Sequence, residues 1–404
     1  MPRASPGISF LMTSRRRVKT GFPTILIQAS SRLSGSRQKN KRLYPTDMTI
    51  PPHTFLLFDG AVLAQRAQWL DVWRTWPHRD VVAHPAYAQL FARPEDRVMC
   101  ACQVGTEGGI LFPLIVRPLR IEPWGIEEGE ACDLVSPYGY GGPFGWGSFD
   151  GEAFWMEFDR WVRSIRAVSL FVRFSLFKNQ LIPFYGDTEV KGSAVVVPLS
   201  QEPEIIVGNY AKTVRENMRQ AQRAGVTVEP DPDCRRLDEF FAVYYSALDR
   251  LEARSIYYLQ KEKIEELRAQ LPGQVALFHA IHNHHVVSTE LLLLSEDYLY
   301  PFLAGTLEQG LRFRANPLLR HEVNLWGRTL GKQQIILGGG YAGDDGLLRY
   351  KQRFAPEGSV PFCVGTRILD HNRYKSLMDK RVIWEKQQGN QWLPADRFFP
   401  AYRA

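Results

Sequence analysis

Two hairpin signals, far apart in the chain, constrain this sequence more than any other feature. Val98–Val104 and Ile110–Leu119 are apolar runs of strand length joined by Gly105-Thr106-Glu107-Gly108-Gly109. Val275–Ile281 and Val286–Leu294 repeat the signal, joined by His282-Asn283-His284-His285. Around each hairpin the chain follows one order: helices, hairpin, strand, helix, strand, loop, strand. The first half supplies helical patterns at Ala61–Trp76, Pro85–Phe91 and Gly151–Arg166, with strands at Ser169–Phe174 and Ala194–Leu199. The second half supplies helices at Asn209–Ala224, Leu237–Leu251, Ile256–Leu271 and Pro317–Leu330, the last with Asn316 as its cap. Its strands fall at Tyr298–Leu303, Ile335–Leu337 and Val360–Leu369. Residue identity between the halves is slight, so the repeat is one of pattern. It predicts an α/β (α+β) chain of two tandem domains of one topology, each a mixed central sheet flanked by helices.

Pro203, inside the polar run QEPE, marks the boundary. Residues 48–204 are expected to form the first domain and 205–370 the second, followed by a polar tail, 371–404. Residues 1–47 read as a disordered basic leader: ten Lys/Arg against one acid, Asp47. That excess is larger than the net charge of +7 for the whole chain, so residues 48–404 are slightly acidic. A global field for nucleic acid is therefore absent, and any such contact needs a local patch. The leader has the composition of an organellar transit peptide. The alternative is sequence upstream of the real start, with Met48 as initiator.

The five cysteines have no paired spacing and read as reduced thiols of a cytoplasmic protein. The histidines His279, His282, His284 and His285 read as a solvated turn, and no metal is expected. No apolar run approaches the ~20 residues of a membrane span.

Chemistry concentrates in Gln333–Phe354. A short buried strand runs into Gly338-Gly339-Gly340, where side-chain-free backbone lets a ligand approach. Asp344-Asp345 then caps a short helix, Gly346–Phe354, on which Lys351 and Phe354 share a face. A glycine mouth beside a lysine suits an anion, or a carbonyl that develops charge. Arg215, Arg219 and Arg223 form a basic stripe on one helix and are candidate phosphate partners. The glycine-rich stretch Asp133–Gly147 is expected to lie outside the core, with Tyr138 and Tyr140 lining a pocket wall.

The order of elements resembles the GNAT N-acyltransferase fold, and its doubling resembles the Fem-type aminoacyl transferases of that superfamily. The residues that carry the resemblance are Ser136–Pro143 (SPYGYGGP), Arg215–Gly225 (RENMRQAQRAG), Gly305-Thr306, Asn316–Leu319, Leu337–Gly340 and Tyr350–Phe354. It spans roughly residues 50–370. The resemblance implies transfer of an acyl or aminoacyl group from acyl-CoA or aminoacyl-tRNA, as co-substrate rather than bound cofactor, to an amine. The acceptor would be a small molecule or a cell-envelope precursor. It points to Lys351 as the group that stabilises the oxyanion, with Tyr341 as a proton donor and Gly339 and Gly340 as backbone donors. Asn316 and Phe354 join the substrate-binding set. Two departures stand out: LRFRANPLL replaces the glycine loop that wraps the CoA pyrophosphate, and no long helical hairpin is present. A ligand-binding protein without catalysis is the alternative these departures leave.

Overall fold

A computed structural model describes residues 53–105, 107–340, 346–395 and 398–404. The expected leader, Met48, Tyr341 and the capping pair Asp344-Asp345 lie outside the described residues.

The first half forms β1 (Thr54–Asp59), α1 (Leu63–Thr75), α2 (Pro85–Leu90), β2 (Arg97–Val104), β3 (Gly109–Pro118), β4 (Cys132–Val135), β5 (Phe144–Trp146), α3 (Gly151–Ser164), β6 (Ala167–Arg173) and β7 (Asp187–Pro198). The second half continues with α4 (Pro203–Asn209), α5 (Lys212–Arg223), β8 (Thr227–Asp231), α6 (Leu237–Arg250), α7 (Lys261–Gln270), β9 (Val275–His282) and β10 (His285–Leu294). Then follow β11 (Tyr298–Thr306), α8 (Glu308–Arg312), α9 (Ala315–Thr329), β12 (Gln334–Gly338), α10 (Gly346–Gln352), β13 (Ser359–Ile368) and α11 (His371–Gln387). Both hairpins form as expected. The second closes through Asn283 and His284, both at positive φ, which is the two-residue turn that matches strand twist.

Among the described residues one sheet of 13 strands runs through the molecule in the order β1-β2-β3-β4-β6-β13-β7-β12-β11-β10-β9-β8, with β5 beside β3. The two halves interleave at its centre. Strand β13 lies between β6 and β7, pairing Val364 with Arg173 on one side and Ser359 with Val195 on the other. Strand β7 then pairs with β12, Val197 against Ile335. Helices cover both faces. On one, α1 and α2 of the first half share a core with α6 and α7 of the second: Trp69, Trp73 and Trp76 belong to the same buried cluster as Phe240, Tyr244 and Leu267. On the other, α5 and α9 bury Val214, Met218, Leu319 and Val323 against β9–β12.

Several expectations need correction. The stretch Asp133–Gly147 is not excluded from the core: Leu134, Val135 and Phe144 are buried in β4 and β5, and only the segment between them loops. Composition alone hid two short strands there. The helix expected over Asn209–Ala224 forms as α5 but starts only at Lys212; a separate helix, α4, precedes it, and between them Tyr210 is extended and buried, its hydroxyl accepting from Asn324 Nδ2 at 2.8 Å. Asn316 is inside α9 rather than at its cap; Arg314, at positive φ, precedes the helix. Strand β8 and helix α11 were not expected, because β8 carries a proline and α11 lacks a wide apolar stripe.

A buried carboxylate ties the halves. Asp80 is fully buried and accepts from Ser295 Oγ and from Tyr300 Oη, each at 2.6 Å, and from the Val82 amide at 3.2 Å. Burial raises its carboxyl above the ordinary range, partly offset by these donors. A folded-state pKa above the unfolded value favours the folded state at low pH. That contribution is full below the ordinary value of about 4 and fades as pH rises through the raised one. Asp80→Asn is expected to flatten the dependence of melting temperature on pH over that interval, read by thermal denaturation at a series of pH values.

Candidate active site

Strands β11 and β12 are parallel neighbours, but they pair only at Tyr298↔Gln334 and Leu299↔Ile335. Beyond that point they part. The gap becomes a cleft lined by the rest of β11, by Leu337, and by side chains from β10, α9 and α10. The corresponding parallel pair of the first half, β4 and β6, is paired from Cys132 to Val135 and prolonged by Ser136, whose amide bonds the Phe171 carbonyl at 2.9 Å. The first half is thus closed where the second is open.

Lys351 enters the cleft from α10. It is buried, and its Nζ donates to the Gly339 carbonyl at 2.6 Å. The register of β12 makes this contact: after Gly338, at positive φ, the chain leaves the sheet, and a Cβ on Gly339 would stand 2.7 Å from the Ser193 carbonyl oxygen. Gly339, expected to offer its amide, also gives its carbonyl to the lysine. Gly340 follows, half-buried.

Glu290 comes from β10 and was not anticipated. It is buried and ion-paired with Arg320 of α9, which is nearly buried itself. Among the described residues, Glu290 Oε2 and Arg320 Nη1 have no hydrogen-bond partner. Burial pushes the Glu290 carboxyl above the usual carboxylate range, against the pull of Arg320 and of Lys351. Asn316 lies on the same wall, where its Oδ1 accepts from the Tyr350 hydroxyl. Phe354 is fully buried at the base, packed against Tyr210 and Tyr350 with ring centroids 5.4 and 5.5 Å away. One signal for Glu290 existed in the sequence: a lone acid inside the apolar run of β10, a placement that demands a partner.

The first half contributes Tyr140. Its ring packs on Tyr300 at 6.1 Å and edge-on to Phe362 at 5.7 Å. Tyr138 lies beneath the Arg173 guanidinium and against Phe91, which in turn meets the cleft residue Phe302; Tyr138 and Tyr140 stand behind the residues that line the cleft rather than among them. The basic stripe stands elsewhere. Arg215 directs Nη1 to the carbonyls of Val207, Gly208 and Tyr210 at the end of α4, while Arg219 is exposed on α5. His321 does not line the cleft; it packs edge-on against Tyr210, and burial lowers it to about 4. A second depression, in the first half around Asp150, Glu152 and Tyr185, is broad and open, and Asp150 is occupied in capping α3.

The histidine cluster disperses: His279 is fully buried against Thr289, whereas His282 and His285 flank the turn. Among the described residues no group of three or more His, Cys, Asp or Glu is placed to hold a metal. All five cysteines are free. Among the described residues, no helix is long and apolar enough to cross a membrane.

Residues 208–352 match the family model described as an acetyltransferase (GNAT) domain. This part of the chain is a GNAT domain. Its span takes in the cleft residues from Glu290 to Lys351, and only Phe354 at the base lies beyond it. Over the larger chain the fold is similar to that of FemX, with a TM-score of 0.54, 12% identity, and coverage of 77% of this chain and 98% of that one. A conserved protein of unknown function from Bacteroides thetaiotaomicron VPI-5482 is similar at a TM-score of 0.51 and 10% identity, over 77% and 99% of the two chains. At such identity these likenesses are of fold. No curated protein matches the chain in sequence. The resemblance to Fem-type proteins therefore holds at the level of fold, and the acetyltransferase match falls on the half that carries the open cleft.

Proposed function

We propose that the protein is an N-acyltransferase that moves an acyl or aminoacyl group from an activated donor, acyl-CoA or aminoacyl-tRNA, to an amine acceptor. One observation carries the reading: a buried lysine ammonium and a buried carboxylate oxygen without a partner line one cleft of a GNAT domain. The carboxylate suits the proton that an attacking amine must lose, and the ammonium suits the negative charge that builds on the carbonyl oxygen. Arg320 holds Glu290 in place from α9. A small molecule or an envelope precursor handled in the cytoplasm fits as acceptor. Exposed Arg219 is the proposed contact for a phosphate on donor or acceptor, and Tyr341 the proposed proton donor to the leaving group.

Thiol release from a panel of acyl-CoAs, run beside consumption of charged tRNA, tests the reading and separates the donors. Turnover with neither, together with ligand binding, would make the chain a binding protein. The pH profile carries a second test. Glu290 accepts a proton only when ionised, so activity falls as pH drops through its raised pKa. Glu290→Gln, which retains an oxygen for Arg320, is expected to lower kcat about 10²–10⁴-fold and to remove that acid limb. An unchanged profile in the variant would take Glu290 out of the proton transfer.

A further inference from the structure

We infer that the oxyanion seat is shared between the halves, with Tyr140 of the first half completing the site that Lys351 begins in the second. The inference rests on the transfer reading above. Gly338 marks the seat. A methyl group built on its Cα would lie 3.4 Å from Tyr140 Oη and 3.5 Å from Lys351 Nζ. A hydroxyl and an ammonium from opposite halves thus address one point in space, which no other described residue beyond the glycine's chain neighbours approaches within 4 Å. These are the distances at which a small shift brings an oxygen within hydrogen-bond reach of both groups.

Four further observations fit this role. Among the described residues Tyr140 Oη has no hydrogen-bond partner, although its ring is clamped between Tyr300 and Phe362. Tyr300 is itself pinned by its hydrogen bond to buried Asp80, so the clamp is anchored in the contact between halves. Burial keeps the Tyr140 phenol well above its ordinary range, so it stays protonated and donating at any working pH. The loop that presents it turns at Gly139 and Gly142, both at positive φ, a backbone course that other residues resist.

The step balances as follows. The amine nitrogen attacks the carbonyl carbon and forms the C–N bond, and the C=O π pair moves onto oxygen. Tyr140 donates a hydrogen bond to that oxygen while Lys351 supplies its charge. Glu290 takes the proton lost by the amine. When the C=O bond re-forms, the bond to the thioester sulfur or ester oxygen breaks, and that leaving atom takes up one proton, which balances the one Glu290 has accepted. The phenol returns unchanged, so Tyr140 acts as a donor throughout.

The test is steady-state kinetics on the full chain with the donor identified by the paired assays. Tyr140→Phe removes one oxygen and keeps the clamped ring. It is expected to lower kcat about 10²-fold with KM and melting temperature nearly unchanged. Gly338→Ala fills the seat and is expected to lower kcat at least as far, with some loss of stability from its positive φ. In the double variant Tyr140→Phe/Lys351→Ala the two losses are expected to fall short of adding, because both groups serve one oxygen. An active wild type beside a Tyr140→Phe variant within twofold of its kcat overturns this inference and leaves the transfer reading standing. A wild type that turns over no donor overturns both.

Discussion

Lys351→Ala abolishes transfer: kcat is expected to fall about 10²–10³-fold or more, the size seen when one preorganised donor is removed from a developing oxyanion. The geometry makes the loss large. The ammonium is buried and fixed on the Gly339 carbonyl, so it needs no reorganisation when charge appears, and its field is little screened by water. Lys351→Arg is not a conservative rescue, since a planar fork cannot replace a compact ammonium in that position. The measurement is kcat with saturating donor, with a thermal melt alongside. Loss of activity in a variant that melts cooperatively near the wild-type temperature assigns the effect to chemistry. Near-native turnover would remove the lysine from the mechanism.

Cutting the chain at Pro203 is expected to leave neither half folded. We propose the division at 204/205 as one of pattern, 48–204 beside 205–370, and not as one of folding. Strand β13 sits between β6 and β7, and β7 sits between β13 and β12. A fragment ending before Pro203 therefore keeps β6 and β7 but lacks the strand that bridges them. The complementary fragment holds β13 with neither of its neighbours. The tryptophans of α1 lose Phe240 and Tyr244 from their shared cluster. At about 25 cal/mol per Å² of apolar surface, re-exposing several large aromatics outweighs the few kcal/mol by which domains are stable. Circular dichroism and solubility of the separate fragments check this, with co-expression as the control. A cooperative melt from the first fragment alone would show that β13 is dispensable to it.

Much of this architecture was legible. The two hairpins, the repeated order and the lysine-bearing helix follow from alternation, turn residues and helical spacing, all of them local signals. What escaped was non-local. Nothing in β13 says that its partners lie in the other half, because a strand's pattern specifies which face is buried and not which neighbour it takes. Glu290 looked like an interruption of an apolar run, and only its pairing with Arg320 of α9 makes it part of a site. Tyr140 was expected on a pocket wall, yet its approach to Lys351 depends on a fold-back between segments more than two hundred residues apart. The arginine stripe shows the opposite error: spacing put Arg215 and Arg219 on one face, but Arg215 is committed to the carbonyls that end α4.

The interleaved sheet has a consequence for how the protein is made. A ribosome delivers β6 and β7 long before β13. At roughly 5–20 residues per second, the slot between them stands vacant for about 8–34 s on each nascent chain. Two strand edges are bare through that interval, and bare edges invite pairing with a neighbouring polypeptide. Translation speed between residues 198 and 359, and chaperones that shield extended segments, should therefore govern the yield of native protein more strongly than the stability of the finished molecule does.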